Sequence, residues 1–160
     1  MDSDQLLIRL GQLMSGQRFA ALATSGCTTP YINLVAFASS PDLQRVWFAT
    51  PRGTRKHANL RTDSRAALLV DNRTNQAADL AQAMAATVMG QATALSGEPL
   101  AVARGIYLSK HPGLEEFAAS ATCAFFELCV TRYVVVHSFQ DVTVIDGAQL
   151  AGWQGLSPAG

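Results

Sequence analysis

Apolar residues recur along this chain with two different periods, and the switches between them mark out its elements. Within residues 4–14, Leu6, Leu7, Leu10, Leu13 and Met14 fall on one stripe at helical spacing. Asp2 or Ser3 is placed to cap that helix and Gly16 to stop it. Residues 18–26 (RFAALATSG), 30–39 (PYINLVAFAS) and 44–50 (QRVWFAT) then read as strands, separated by the turn-prone stretch 25–29 and by Pro41 and Asp42. Connections this short make the three strands antiparallel neighbours.

A short helix over about 54–62 precedes RAALLVDN (65–72), whose unbroken apolar run suits a strand buried on both faces. Residues 73–82, polar and alanine-rich, read as a loop, and 83–97 as a long strand with Gly90 marking a bulge, although its alanines intrinsically favour helix. Ser96, Gly97, Glu98 and Pro99 open a helix that runs to about Lys110, because Pro is welcome in a first turn and Pro112 forbids continuation past His111. A second short helix is expected over 114–119, and the β-formers of 123–139 and 141–147 predict two closing strands. Six or more strands with tight turns and peripheral helices predict a closed or nearly closed antiparallel barrel in an α+β domain.

Length and composition sharpen this. With 160 residues, 49% apolar and 15% charged, the chain is expected to form a single domain over 1–160 with one core, a leading helix in 1–17 and a tail in 148–160. Twelve basic and twelve acidic residues leave a formal net charge of zero, so no global field draws the protein to nucleic acid or to anionic lipid. No apolar run reaches the ~20 residues that span a bilayer, and the MDSDQLLIRL start lacks signal-peptide regions, so a cytoplasmic protein is expected. Cys27, Cys123 and Cys129 lack CxxC spacing and read as buried reduced thiols; His57, His111 and His137 share no metal-ligand spacing, and no metal site is expected.

Chemistry concentrates in 45–61, RVWFATPRGTRKHANLR, where a strand ends in a Pro51/Gly53 turn and delivers Thr54, Arg55 and Lys56 to a helix start. A helix start carries unpaired N–H groups and partial positive charge; Arg adds a planar fork and Lys a point charge. That set suits a phosphate, and it also suits a solvated basic turn. His57, next to Lys56, reads as a surface histidine or as a further contact to such an anion, and His111 as structural. Alternation sends one of Trp47 and Phe48 inward: Phe48 packs in the core, while Trp47 serves an interface, a ligand or plain surface. Glu127 lies in an apolar run, where it faces solvent or pairs with a cation.

This order of elements, with Phe48-Ala49-Thr50-Pro51-Arg52-Gly53-Thr54-Arg55-Lys56, then Asn59-Leu60 and 65–70, resembles the pyridoxamine 5′-phosphate oxidase family of FMN-binding split barrels. Tyr107-Leu108-Ser109-Lys110-His111-Pro112 resembles a helix end found in smaller members. The resemblance implies a six- or seven-stranded antiparallel split β-barrel with peripheral helices. Thr54, Arg55 and Lys56 would then hold the FMN phosphate, the backbone of Phe48, Ala49 and Thr50 would lie along the flavin, and the strand Asn33 to Ala38, with Asn33 and Val35, would form the other wall. It further implies a homodimer with the cofactor at the interface, a small-molecule electron donor and acceptor, and hydride or electron transfer through FMN. Other relatives imply a non-catalytic flavin-binding or sensing module, a deazaflavin in place of FMN, or haem binding and degradation. The chain departs from the authentic oxidase in having Asn33 and Ala38 where that enzyme has Arg and Lys. Its tail, 149–158, lacks the oxidase's arginines, so vitamin B6 is not expected as substrate.

Overall fold

The computed structural model describes residues 1–26 and 29–155. Seven strands form one antiparallel sheet: β1 (Phe19–Ser25), β2 (Pro30–Ser39), β3 (Arg45–Pro51), β4 (Arg65–Asp71), β5 (Met84–Ala94), β6 (Cys123–His137) and β7 (Asp141–Asp146). The order is β3-β2-β1-β4-β5-β6-β7, and an additional β3–β6 pairing closes the first six into a barrel with β7 outside it. The expected α+β split barrel is therefore present. Closure depends on the 15 residues of β6. Its first half pairs with β3, from Pro51↔Cys123 to Arg45↔Cys129, and its second half offers the same edge to β7.

Leading helix α1 (Ser3–Gly16) buries Leu6, Leu7, Leu10, Leu13 and Met14, the stripe read from sequence, and the Asp2 carboxylate accepts from Gln5 N–H at 2.8 Å as its N-cap. The barrel interior is filled by alternate residues: Leu22, Val35, Phe37, Phe48, Leu68, Val88, Phe126 and Leu128 among them. Phe48 and Phe126 stack there with centroids 5.6 Å apart. A second apolar layer lies outside β3 and β6, where α4 (Gly97–Lys110) and α5 (Glu115–Ala119) cover Trp47, Ala49 and Phe125.

Gly90 does mark a bulge. Met89 pairs with Arg132 but Gly90 with Val130, which leaves Thr131 as the extra residue. The backbones approach so closely that a Cβ on Gly90 would collide with the Cys129 carbonyl oxygen.

Four local expectations are corrected. β4 is not buried on both faces: it alternates, and Leu69 is 37% exposed, because a barrel wall has one interior. Asp79–Gln82, expected as loop, forms a single helical turn, α3, and the Asp79 carboxylate accepts from the N–H groups of Thr74 and Gln76. Cys123 is buried as expected, but Cys129 is exposed on the outer face of β6; Cys27 lies outside the described residues. Trp47 is neither surface nor interface in this chain. It points out of the barrel, yet α4 covers it to 4% exposure, and its indole N–H donates to Glu127 Oε2 at 2.9 Å. Glu127 thus has an indole partner within the sheet, with Arg45 Nε 3.9 Å from its other oxygen.

Candidate functional site

The site begins where two strands part. β2 and β3 pair only at Phe37↔Phe48, Ala38↔Trp47 and Ser39↔Val46. Beyond Phe48, β3 stays with β6 as far as Pro51, while β2 stays with β1 back to Pro30. The barrel wall splits between them and opens a groove of about 260 Å³. One wall is Leu34, Val35 and Ala36 of β2, the other Ala49 and Pro51 of β3, and Tyr107, Leu114 and Phe117 close it from the helical side. Among the described residues, Lys56 is its one charged lining residue.

Strand geometry also gives the groove a polar edge. The Phe37 N–H points toward β1, donating to Arg18 O at 3.3 Å. Peptide groups alternate along a strand, so those of Leu34 and Ala36 point the other way, into the gap that β3 has left. Peptide groups without a strand partner take one from water or from a ligand, and a flat heterocycle can supply it.

Helix α2 (Arg55–Thr62) plugs the barrel end beside this gap. Leu60 enters the core, Asn59 Nδ2 donates to Thr24 Oγ1 at 3.0 Å, and His57 packs edge-on to Phe126 at 5.8 Å. His57 is therefore a buried residue, not the surface histidine expected: the plug turns that side of the helix inward. Its pKa is lowered by burial and by the charges of Arg52 and Arg61.

The eight sequence-predicted residues separate into distinct roles. Val35, Ala49 and Lys56 line the groove together. Phe48 does not face it; its ring is fully buried in the core, so only its backbone adjoins the gap. Thr50 and Thr54 form a pair, their hydroxyls 2.7 Å apart. Thr54 Oγ1 also donates to Pro51 O at 2.9 Å and accepts from His57 N–H at 3.3 Å, so its hydroxyl fixes the turn and caps α2. The N–H groups of Arg55 and Lys56 have no partner within the helix. Arg55 is exposed, its guanidinium over the Tyr31 ring at 5.0 Å. Asn33 lies between Tyr31 and Val35 on the same side of β2, and its Oδ1 is buried without a hydrogen-bond partner.

Burial lowers the Lys56 pKa, as expected for an ammonium against an apolar wall, and pushes the Tyr107 phenol up to about 12. Tyr107 packs on Phe125 at 5.2 Å, and the helix end beyond it is tied down twice. Lys110 Nζ donates to Met14 O at 2.9 Å, and His111 Nε2 lies 2.7 Å from Phe37 O.

Sequence reading missed Phe19, Tyr31, Pro51, Tyr107, Leu114 and Phe117 as site residues. Leu114 and Phe117 reach the groove by tertiary folding alone. Leu34 and Ala36 lie within the strand Asn33 to Ala38 that the resemblance assigned to this wall, and they do line it.

A sequence model of the pyridoxamine 5′-phosphate oxidase family matches residues 9–125, which hold the groove strands, α2 and the Tyr107 helix end. The chain belongs to this family. Among solved structures with the same fold is the haem-binding protein of Mycobacterium smegmatis (TM-score 0.78, 19% identity), whose match covers 89% of this chain and 58% of that one. ChuZ of Campylobacter jejuni aligns with TM-score 0.80 at 13% identity, over 93% of this chain and 62% of its own. A FAD-binding protein of Mesorhizobium loti aligns with TM-score 0.63 at 18% identity, over 79% and 89%. The chain spans under two thirds of the length of the first two. At these identities the likeness is one of fold. No curated protein matches the sequence significantly. Among the described residues, no helix is long and apolar enough to cross a membrane, and no group of three or more His, Cys, Asp and Glu is placed to hold a metal ion.

Proposed function

We propose that the chain is an FMN-binding flavoprotein acting as an oxidoreductase, with its cofactor in the split between β2 and β3. The observation that carries this reading is the groove itself: apolar walls, a peptide edge left by the departure of β3, and one cationic lining side chain, Lys56, with Arg55 next to it in the chain. The flavin ring fits between the β2 and β3 walls, with Leu34 and Ala36 peptide groups meeting its polar rim. Lys56 and Arg55, with the first N–H groups of α2, would hold the phosphate. Bound flavin supplies hydride and electron transfer. The chain's own residues bind and orient it, and Tyr107, Leu114 and Phe117 keep water from one side.

Haem fits less well. None of the groove's described lining residues is His, Cys or Met, and Tyr107 sits where burial disfavours the phenolate. His57 is packed on Phe126, His111 is bonded to Phe37, and His137 lies 4.0 Å from Asp141, outside the groove.

We also propose that two copies complete the site. The outer faces of four strands line up Leu34–Ala21–Leu69–Thr87 and Ile32–Ala23–Ala67–Met89 in register, without a charged residue. Ile32 is 63% and Leu34 69% exposed. Leu34 belongs both to this face and to the groove, so an isologous partner on the face would border the cofactor.

The test is an absorption spectrum of freshly purified protein, followed by FMN titration and addition of NADH or NADPH. Expected are a flavin spectrum and its bleaching by the reductant. Binding without reduction would favour a non-catalytic flavin module, a Soret band would favour haem, and no response to FMN would end both flavin readings.

A further inference from the structure

We propose that Tyr31 is a positioning residue for Arg55, and that preference for a phosphorylated over an unphosphorylated flavin depends on its ring. The inference rests on the FMN reading above and assigns a role to a residue outside the sequence motif.

Arg55 is exposed, with its Cζ over the Tyr31 ring, 5.0 Å from the centroid. Arg55 is not among the ion-paired arginines of the described residues, which are Arg45, Arg65, Arg73 and Arg132. A free arginine samples many rotamers and loses that freedom on gripping an anion. Stacking removes part of the cost beforehand. The ring's π face attracts the cation without taking up an N–H hydrogen bond, so the guanidinium donors stay available for a phosphate.

Tyr31 is well anchored for this. It lies in β2, paired with Thr24 of β1, and is half-buried. Along the same side of the strand, Tyr31, Asn33 and Val35 occur in order, so the stacked Arg55 stands at one end and the groove at the other. Four residues of strand separate those ends by about 13 Å. A chain bearing a terminal phosphate would run from the groove past the unpartnered Asn33 Oδ1 to Arg55.

The experiment compares dissociation constants for FMN and riboflavin. Wild-type protein is expected to prefer FMN. Tyr31→Val should cut that preference roughly threefold to fivefold, through weaker FMN binding alone. Tyr31→Phe should restore it, and in an Arg55→Ala background Tyr31→Val should change nothing further. A purely structural role would weaken both ligands alike and persist without Arg55; either result, or an unchanged preference in Tyr31→Val, overturns the proposal. Should Tyr31→Val not fold, the wild-type Arg55 Nε–Hε resonance, identified by its loss in Arg55→Lys, decides: a ring-current upfield shift supports stacking and a random-coil position refutes it. Absence of any FMN preference in wild type would overturn the phosphate site and this inference together, whereas a preference sensitive to Arg55 but not to Tyr31 would overturn the Tyr31 role alone.

Discussion

The Nε2 atom of His111 lies 2.7 Å from the carbonyl oxygen of Phe37, joining the end of α4 to the strand that forms one lip of the groove. A carbonyl only accepts, so Nε2 carries the proton and donates it. His111 is 5% exposed, and burial, reinforced by Lys110 and Arg18, lowers its pKa against the raising effect of the Phe37 bond.

Acid should therefore weaken the fold. His111 and His57 are both held below the ordinary 6.5, so the unfolded chain binds protons more readily than the folded one. Their contribution is complete above about pH 6.5 and declines as pH falls from there through the folded-state values. Thermal melts at pH 7.5 and 5.5 should show a lower Tm at the acid end. His111→Gln can still donate to Phe37 and should reduce that difference; an equal acid loss in the variant would assign the effect elsewhere.

The double variant Arg55→Ala/Lys56→Ala should bind FMN at least tenfold more weakly, since charge-assisted bonds contribute about 1.5–3 kcal/mol each. Melting of the ligand-free protein should hardly change, because the cap and the buried contacts of α2 belong to Thr54, His57 and Leu60. Equal FMN affinity in calorimetric titration would move the phosphate to another place.

Glu127→Ala should destabilise the fold by about 1–3 kcal/mol in urea denaturation, because it strands the buried Trp47 indole N–H beneath α4. Glu127→Gln retains an acceptor and should cost much less. FMN affinity should be the same in both, as Glu127 is not a lining residue of the groove.

Leu69→Glu places a carboxylate on the exposed apolar face, away from the groove. Sedimentation should find wild-type dimers and variant monomers, with FMN binding reduced alongside. A variant that still sediments as a dimer would mean that a different surface pairs the subunits.

How much of this was legible in the sequence follows from the range of the interactions concerned. The α1 stripe, the seven strands and the Gly90 bulge were readable because alternation and capping act over a few residues. The motif's position beside a groove was readable through resemblance. Its internal division was not: Thr54 spends its hydroxyl on Thr50, Pro51 and the helix cap, while Arg55 lies on Tyr31, 24 positions earlier. Trp47 and His57 were misread for one reason. Period identifies a strand's two faces or a helix's sides, but not whether another element covers them.

By itself, then, the sequence determined an antiparallel barrel, its helices and the cationic turn, since backbone propensity and hydrophobic period are carried locally. Tertiary structure decided where the barrel opens. β3 follows β6 and β2 follows β1, so the edge between them is left unpaired, and that choice depends on hydrogen-bonding partners as distant in sequence as Pro51 and Cys123.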